Sequence, residues 1–106
     1  YIKIMGEALS LLSLEKHMKE HIEQNLSLIA IEDKRRAYLL YLLIEGDYQK
    51  DCLDALKELN NRLEAYKKIE AIAFINSFPR SDLGKIKKKA LKDMLQEQKI
   101  PLYSLK

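Results

Sequence analysis

The stretch Leu26–Ile44, LSLIAIEDKRRAYLLYLLI, decides the fold. It holds two apolar runs, Leu26–Ile31 and Ala37–Ile44, joined by the charged segment Glu32-Asp33-Lys34-Arg35-Arg36. Each run is the length of a strand and the join is short and polar, so the pair is predicted to be antiparallel strands. Neither run alternates cleanly between apolar and polar residues. A sheet with one wet face would alternate, so this sheet is predicted to be covered on both faces.

The segments on either side read as helices and one more strand. Upstream, Ser10 is placed to cap a helix, with Leu11, Leu14, Met18 and Ile22 at helical spacing behind it. Glu15, Lys16, Lys19, Glu20 and Glu23 supply the polar face. Downstream, Glu45-Gly46-Asp47 breaks the pattern, and Leu53, Leu56, Leu59 and Leu63 mark a second amphipathic helix. Ile69–Ile75 reads as a third strand. Asn76–Lys85 reads as a loop held by Pro79 and Gly84. Ile86, Ala90, Met94 and Leu95 predict a last helix, with Lys87, Lys88, Lys89 and Lys92 facing outward. The result is a small α+β domain: a three-stranded, mainly antiparallel sheet packed by helices, plus a short N-terminal strand segment. No repeat, low-complexity tract or linker interrupts it.

Composition bounds the function classes. A chain of 106 residues is one domain with a single modest core. The net charge of +3 is too mild to call for nucleic acid or an anionic membrane by itself. No apolar run reaches the ~18 residues of a membrane span. The first residues do not have the pattern of a signal peptide. The chain opens on Tyr1 rather than Met, as a trimmed piece of a longer protein would. Cys52 is the lone cysteine, so no internal disulfide is possible and a cytoplasmic location is expected.

Four features carry candidate chemistry. His17-Met18-Lys19-Glu20-His21 matches H-x-x-E-H, a pattern that can set two metal-binding imidazoles one turn apart. Three fixed letters with no evident third ligand favour two histidines on a wet helix flank, and no metal site is assigned. Cys52 has no activating partner nearby in sequence and reads as a small buried side chain. The basic run Lys85–Lys92 has the charge to meet phosphates. It lacks interleaved aromatics for base stacking, and Asp93 and Glu97 follow on the same helix, so a solvated face is the default expectation, with a stand-alone basic module that binds nucleic acid or a protein partner as the alternative. Lys85 stands apart. It follows Gly84 directly, where the backbone can turn tightly, and Pro79 stiffens the approach. A lysine so placed is a point charge suited to carboxylate or phosphate oxygens. A lysine that merely caps a turn would look similar.

Three stretches, taken together, resemble the C-terminal domain of the adenylate-forming (AMP-binding) ligases: acyl- and aryl-CoA synthetases, luciferases and nonribosomal adenylation domains. The segment IKIMGEALSLLSLEKHM, Ile2–Met18, is similar to the family's I-K-x-x-G-x-x-I/V-S-x-x-x-I/V-E run. LKELNNRLEAYKKIEAIAFINSFPRSDLGKI, Leu56–Ile86, is similar to its helix, Y-K pair, strand and P-x-x-x-x-G-K-I/V series. The pair Leu26–Ile44 sits where the family has antiparallel strands. Glu7 and Ser10 within GEALS resemble fatty-acyl ligases in particular, which implies a place in fatty acid metabolism.

The resemblance implies that residues 1–106 form a C-terminal lid, the N-terminal ATP- and acid-binding domain lying elsewhere. It implies that Lys85 is the catalytic cation of carboxylate adenylation, supported by the loop residues Pro79 and Gly84. It implies that Lys3, Gly6 and Glu7 face the thiol and its pantetheine arm in a second position of the lid. ATP and Mg²⁺, a carboxylic acid, and coenzyme A or a carrier-protein phosphopantetheine would serve the full-length enzyme, with none bound by this segment alone. Its partner would be its own adenylation domain, and any membrane association would come through other parts of that protein. Tyr66 and Lys67, the Y-K pair, are expected to be structural. The chain also departs from the family pattern. Leu11 stands for a frequent proline, Ser13 for a frequent acid, and Lys87 and Lys88 for common arginines.

Overall fold

The computed structural model describes residues 1–105. In chain order these form β1 (Ile2–Ile4), β2 (Glu7–Leu9), α1 (Leu11–Lys19), β3 (Leu26–Asp33), β4 (Ala37–Glu45), α2 (Lys50–Asn61), a 3₁₀ turn (Ala65–Lys67), β5 (Ala71–Ile75), α3 (Lys88–Gln96) and β6 (Tyr103–Ser104). The stretch that decided the fold forms β3 and β4, paired antiparallel from Leu26↔Ile44 to Asp33↔Ala37. The carboxylate of Asp33 accepts the amides of Arg35 and Arg36 at 3.1 and 2.9 Å, which fixes the turn. Ala37 leaves that turn at φ 77°.

The sheet has the order β3-β4-β5-β6. Its α+β class and helical cover are as predicted, and its strand count and pairing differ in detail. A fourth strand, β6, adds two residues antiparallel to β5 through Ile72↔Tyr103 and Ala71↔Ser104. Two residues beside Pro101 carry no periodicity, so nothing in the sequence marked them. The β4–β5 pairing is parallel, because α2 provides the crossover that a parallel pair requires. The N-terminal strand segment is a hairpin of its own, β1 against β2.

Both faces of the sheet are covered. Leu28, Leu40, Leu42 and Ile72 face one core with Met18 of α1 and Leu56 of α2. Ile29, Leu43, Ala73 and Ile75 face a second core with Leu91 and Leu95 of α3. That double burial is why β3 and β4 do not alternate. Ser10 caps α1 as predicted, its hydroxyl accepting the Ser13 amide at 3.2 Å. Helix α3 begins at Lys88, two residues later than predicted, because Ile86 pairs with Arg80 instead. Its buried stripe is Leu91 and Leu95, with Ala90 and Met94 half-buried beside it.

One buried polar residue joins α2 to the strand it feeds. Asn60 is 2% exposed. Its amide donates to the Ile69 carbonyl at 3.0 Å and accepts the Ile69 amide at 2.8 Å. The side chain thus stands in for a strand partner just before β5. Asn60→Ala leaves both Ile69 groups unpaired in the interior and is expected to cost about 2–3 kcal/mol, read as a fall in the urea midpoint. Asn60→Asp keeps the acceptor, loses the donor and buries a charge, so it should cost at least as much.

Candidate functional site

The segment after β5 is anchored before it reaches Lys85. Asn76 and Ser77 are exposed, and Phe78 then turns inward and packs in the second core, 3% exposed. The chain emerges at Pro79 and folds into a small hairpin. Arg80 pairs with Ile86. Either side of that pair, the Lys87 amide donates to the Pro79 carbonyl at 2.9 Å and the Ser81 amide to the Lys85 carbonyl at 2.8 Å. Gly84 closes the loop at φ +85°, its amide donating to the Ser81 carbonyl at 2.9 Å. A three-residue hairpin loop needs a left-handed residue at that place, and glycine takes it without strain. The Lys85 amide adds a bond to the Ser81 hydroxyl at 3.3 Å. The expected loop is therefore a small hairpin with internal bonds.

Its root is held by the first residue of the Glu45-Gly46-Asp47 segment, where the apolar pattern of β4 ends. Glu45, the last residue of β4, receives both guanidinium nitrogens of Arg80 at 2.7 Å each. The same carboxylate accepts the Phe78 amide at 2.7 Å and the Asn25 side-chain amide at 2.9 Å. The Arg80 hydrogen bonds, then those from Asn25 and Phe78, hold the Glu45 carboxyl well below the usual carboxylate range. Nothing in the sequence linked Glu45 to Arg80, 35 positions on. The available signal was a carboxylate at the end of an apolar strand.

Lys85 itself is exposed, and its ammonium enters no ion pair among the described residues. The hairpin tip beside it carries Leu83, 88% exposed. The lysines that follow differ. Lys88 donates to Glu15 at 2.9 Å, and the same Glu15 oxygen accepts the Leu28 amide of β3 at 2.9 Å. Lys88 therefore ties α3 to α1 and to the sheet, which takes it out of a free basic patch. Lys87 and Lys89 are exposed, and Lys92 is half-buried.

Lys3, Gly6 and Glu7 lie together on the β1–β2 hairpin, all three exposed. Its two-residue turn is Met5-Gly6, at φ 54° and 80°. Positive φ at both positions is the signature of the tight turn that suits strand twist, and the second is where glycine is favoured. Arg36 binds this turn to the rest of the domain, donating to the Ala65 carbonyl at 2.9 Å and lying 3.6 Å from the Met5 sulfur. Beside the turn a cleft of about 590 Å³ opens between Met5, Arg36, Asn60 and Lys68.

The structure does not bring these two groups together. Glu45 marks one end of β4 and Arg36 precedes the other. A strand of nine residues spans about 27 Å at the usual rise. The Lys85 hairpin and the Gly6 hairpin thus belong to opposite ends of the domain.

The remaining candidates read as structural. His17 and His21 lie edge to face on the surface, ring centroids 5.3 Å apart. Among the described residues no group of three or more His, Cys, Asp or Glu side chains is placed to hold a metal ion. Cys52 is buried, and that burial pushes its thiol up, away from the reactive thiolate. Tyr66 packs against the first core, and Lys67 pairs with Glu64 at 3.3 Å.

Comparison with known proteins adds the following. No protein-family model matches the chain. A curated protein of Oryza sativa subsp. japonica, 4-coumarate–CoA ligase-like 8, is 37% identical over 60 residues, which is 57% of this chain and 10% of that protein. The solved acyl-CoA synthetase (AMP-forming)/AMP-acid ligase II-like protein of Dyadobacter fermentans matches with a TM-score of 0.78 and 21% identity. That match covers 89% of this chain and 29% of the other. ATP-bound MatB from Rhodopseudomonas palustris matches with a TM-score of 0.72 and 14% identity, over 92% of this chain and 20% of the other. The chain has a fold found within AMP-forming acyl-CoA synthetases, as the sequence resemblance implies, and it spans under a third of the length of each of these three proteins.

Proposed function

We propose that the chain is the C-terminal lid of an AMP-forming acid–thiol ligase, with Lys85 as the cation of its first half-reaction. The observation that carries this is the likeness to AMP-forming synthetases over nine-tenths of this chain but under a third of theirs. A domain of that kind serves a larger body that holds the nucleotide and the acid. In adenylation a carboxylate oxygen attacks the α-phosphorus of ATP and pyrophosphate leaves. Both reactants are anionic, so a cation between them lowers the barrier. Lys85 suits that role because it is exposed on its hairpin and enters no ion pair among the described residues. Mg²⁺ would accompany ATP in the larger body.

In the second half-reaction a thiol, of coenzyme A or a carrier-protein phosphopantetheine, attacks the acyl carbonyl and AMP leaves. The Met5-Gly6 turn and the cleft beside it are the surface for that step. Because the two hairpins lie at opposite ends of β4, one orientation of the lid cannot bring both to a single active site. Two orientations, used in turn, would.

ATP–pyrophosphate exchange tests the proposal. The isolated 106-residue chain, offered a panel of carboxylic acids, should exchange nothing above background, and the full-length protein should exchange with at least one acid. Robust exchange by the chain alone would overturn the lid assignment.

A further inference from the structure

We propose that Glu45 is the positioning residue for Lys85, holding the lysine hairpin at a fixed place on the sheet through Arg80. The inference rests on the role given to Lys85 above, and the experiment below separates the two.

The contacts form a short path. Glu45 ends β4, a central strand buried on both faces and paired on both sides. Its carboxylate grips Arg80 with two bonds of 2.7 Å, a planar fork-to-fork contact that fixes direction as well as distance. Arg80 in turn pairs through its backbone with Ile86, the residue next to Lys85. A third bond, from the Phe78 amide at 2.7 Å, fixes the chain two residues before Arg80. The Asn25 side-chain amide donates to the Oε1 that Arg80 also binds, at 2.9 Å, and the Asn25 backbone carbonyl accepts the Glu45 amide at 2.9 Å. Gly46 then donates to the Ile75 carbonyl at 2.7 Å, locking the end of β4 to the end of β5 where the segment departs.

Phe78 already seals the second core beneath the segment. The Glu45 side chain lies largely shielded, and all of its partners except Asn25 are in the lysine segment. These same bonds hold its carboxyl well below the usual carboxylate range, so the clamp keeps its charge at neutral pH. A catalytic cation must sit within a fraction of an ångström of its place to be effective, and a hairpin held only by its own bonds would swing about its two strands. The clamp removes that freedom, so the lysine travels with the domain as a rigid part and the lid movement alone decides where it goes.

The experiment has two arms. In the first, amide hydrogen exchange is followed in the protein with Glu45→Gln, and separately with Arg80→Lys, which keeps the charge but loses the fork. The amides of Ser81 and Lys87, bonded within the hairpin, should exchange about tenfold faster, and those of Leu42 and Ile72 in the sheet should not change. In the second, the full-length enzyme is assayed for its two half-reactions. Adenylate formation should fall about 10–100-fold in Glu45→Gln with little change in KM for ATP, and transfer from preformed adenylate to thiol should be unchanged. Ile72→Val, in the core on the other face of the sheet, controls for lost stability and should leave both half-reactions alone. Unchanged exchange at Ser81 and Lys87 would overturn the clamp. So would faster exchange with normal adenylate formation in an enzyme that Lys85→Ala disables. An enzyme indifferent to Lys85→Ala would instead overturn the role given to the lysine, and the exchange arm would still judge the clamp.

Discussion

In the full-length enzyme Lys85→Ala should slow acyl-adenylate formation by about 10²–10³-fold, the scale for losing one preorganised electrostatic partner in a transition state. The structure sharpens the expectation. The ammonium of Lys85 enters no ion pair among the described residues, so its loss should leave the melting temperature within a degree or so. Preformed adenylate should still pass to thiol at the wild-type rate, because in the proposed cycle the lid would have turned away by then. Lys87→Ala should do little to either step. Lys88→Ala should lower stability modestly, since it breaks the Glu15 contact, without a selective effect on adenylation. Rapid-quench measurement of both half-reactions checks all of this. Equal loss in both steps for Lys85→Ala would mark the lysine as structural.

The contrast between Lys85 and Lys88 shows how far the sequence carries. Both stand in one basic run, and composition cannot separate them. Glycine before Lys85 and proline six residues upstream did, because those residue types impose local backbone geometry that can be read in place. The spent charge of Lys88 depends on Glu15, 73 positions away, and only the fold reveals it. The same limit governs the sheet. Its doubly buried strands were legible, because burial on both faces erases alternation within each run. The parallel β4–β5 pairing was not, because pairing direction is set by the crossover of α2 and leaves no mark on either strand. Helix α3 was placed two residues early for a related reason. Ile86 has helical spacing to Ala90, but it lies opposite Arg80 in a hairpin whose bonds, Ser81 to Lys85 and Lys87 to Pro79, hold the chain on either side of it. The Glu45 clamp is the extreme case, a contact among residues 25, 45, 78 and 80 that no local pattern encodes.

Gly6 tests the opposite end of the domain. Gly6→Leu in the full-length enzyme should leave pyrophosphate exchange near normal and reduce thioester formation by about 10²-fold, the size of effect a displaced reactant gives. The turn at Met5-Gly6 holds Gly6 at φ +80°, so any ordinary side chain strains the backbone by roughly 1–2 kcal/mol. A β-carbon built there meets no atom within 4 Å, so the domain itself has room for a side chain. A steric effect on catalysis must then come from something that arrives beside the turn. Two further variants separate the causes. Gly6→Ala carries nearly the same backbone strain with little bulk, and should lose stability while keeping most thioester formation. Gly6→Asn tolerates the left-handed conformation, and should keep stability while placing a side chain in the thiol path. If thioester rates follow side-chain size across the set and melting temperature follows backbone strain, the turn lines the thiol route. If all three variants transfer adenylate to thiol as fast as the wild type, this end of the domain has no part in the second half-reaction, and only the Lys85 hairpin faces the chemistry.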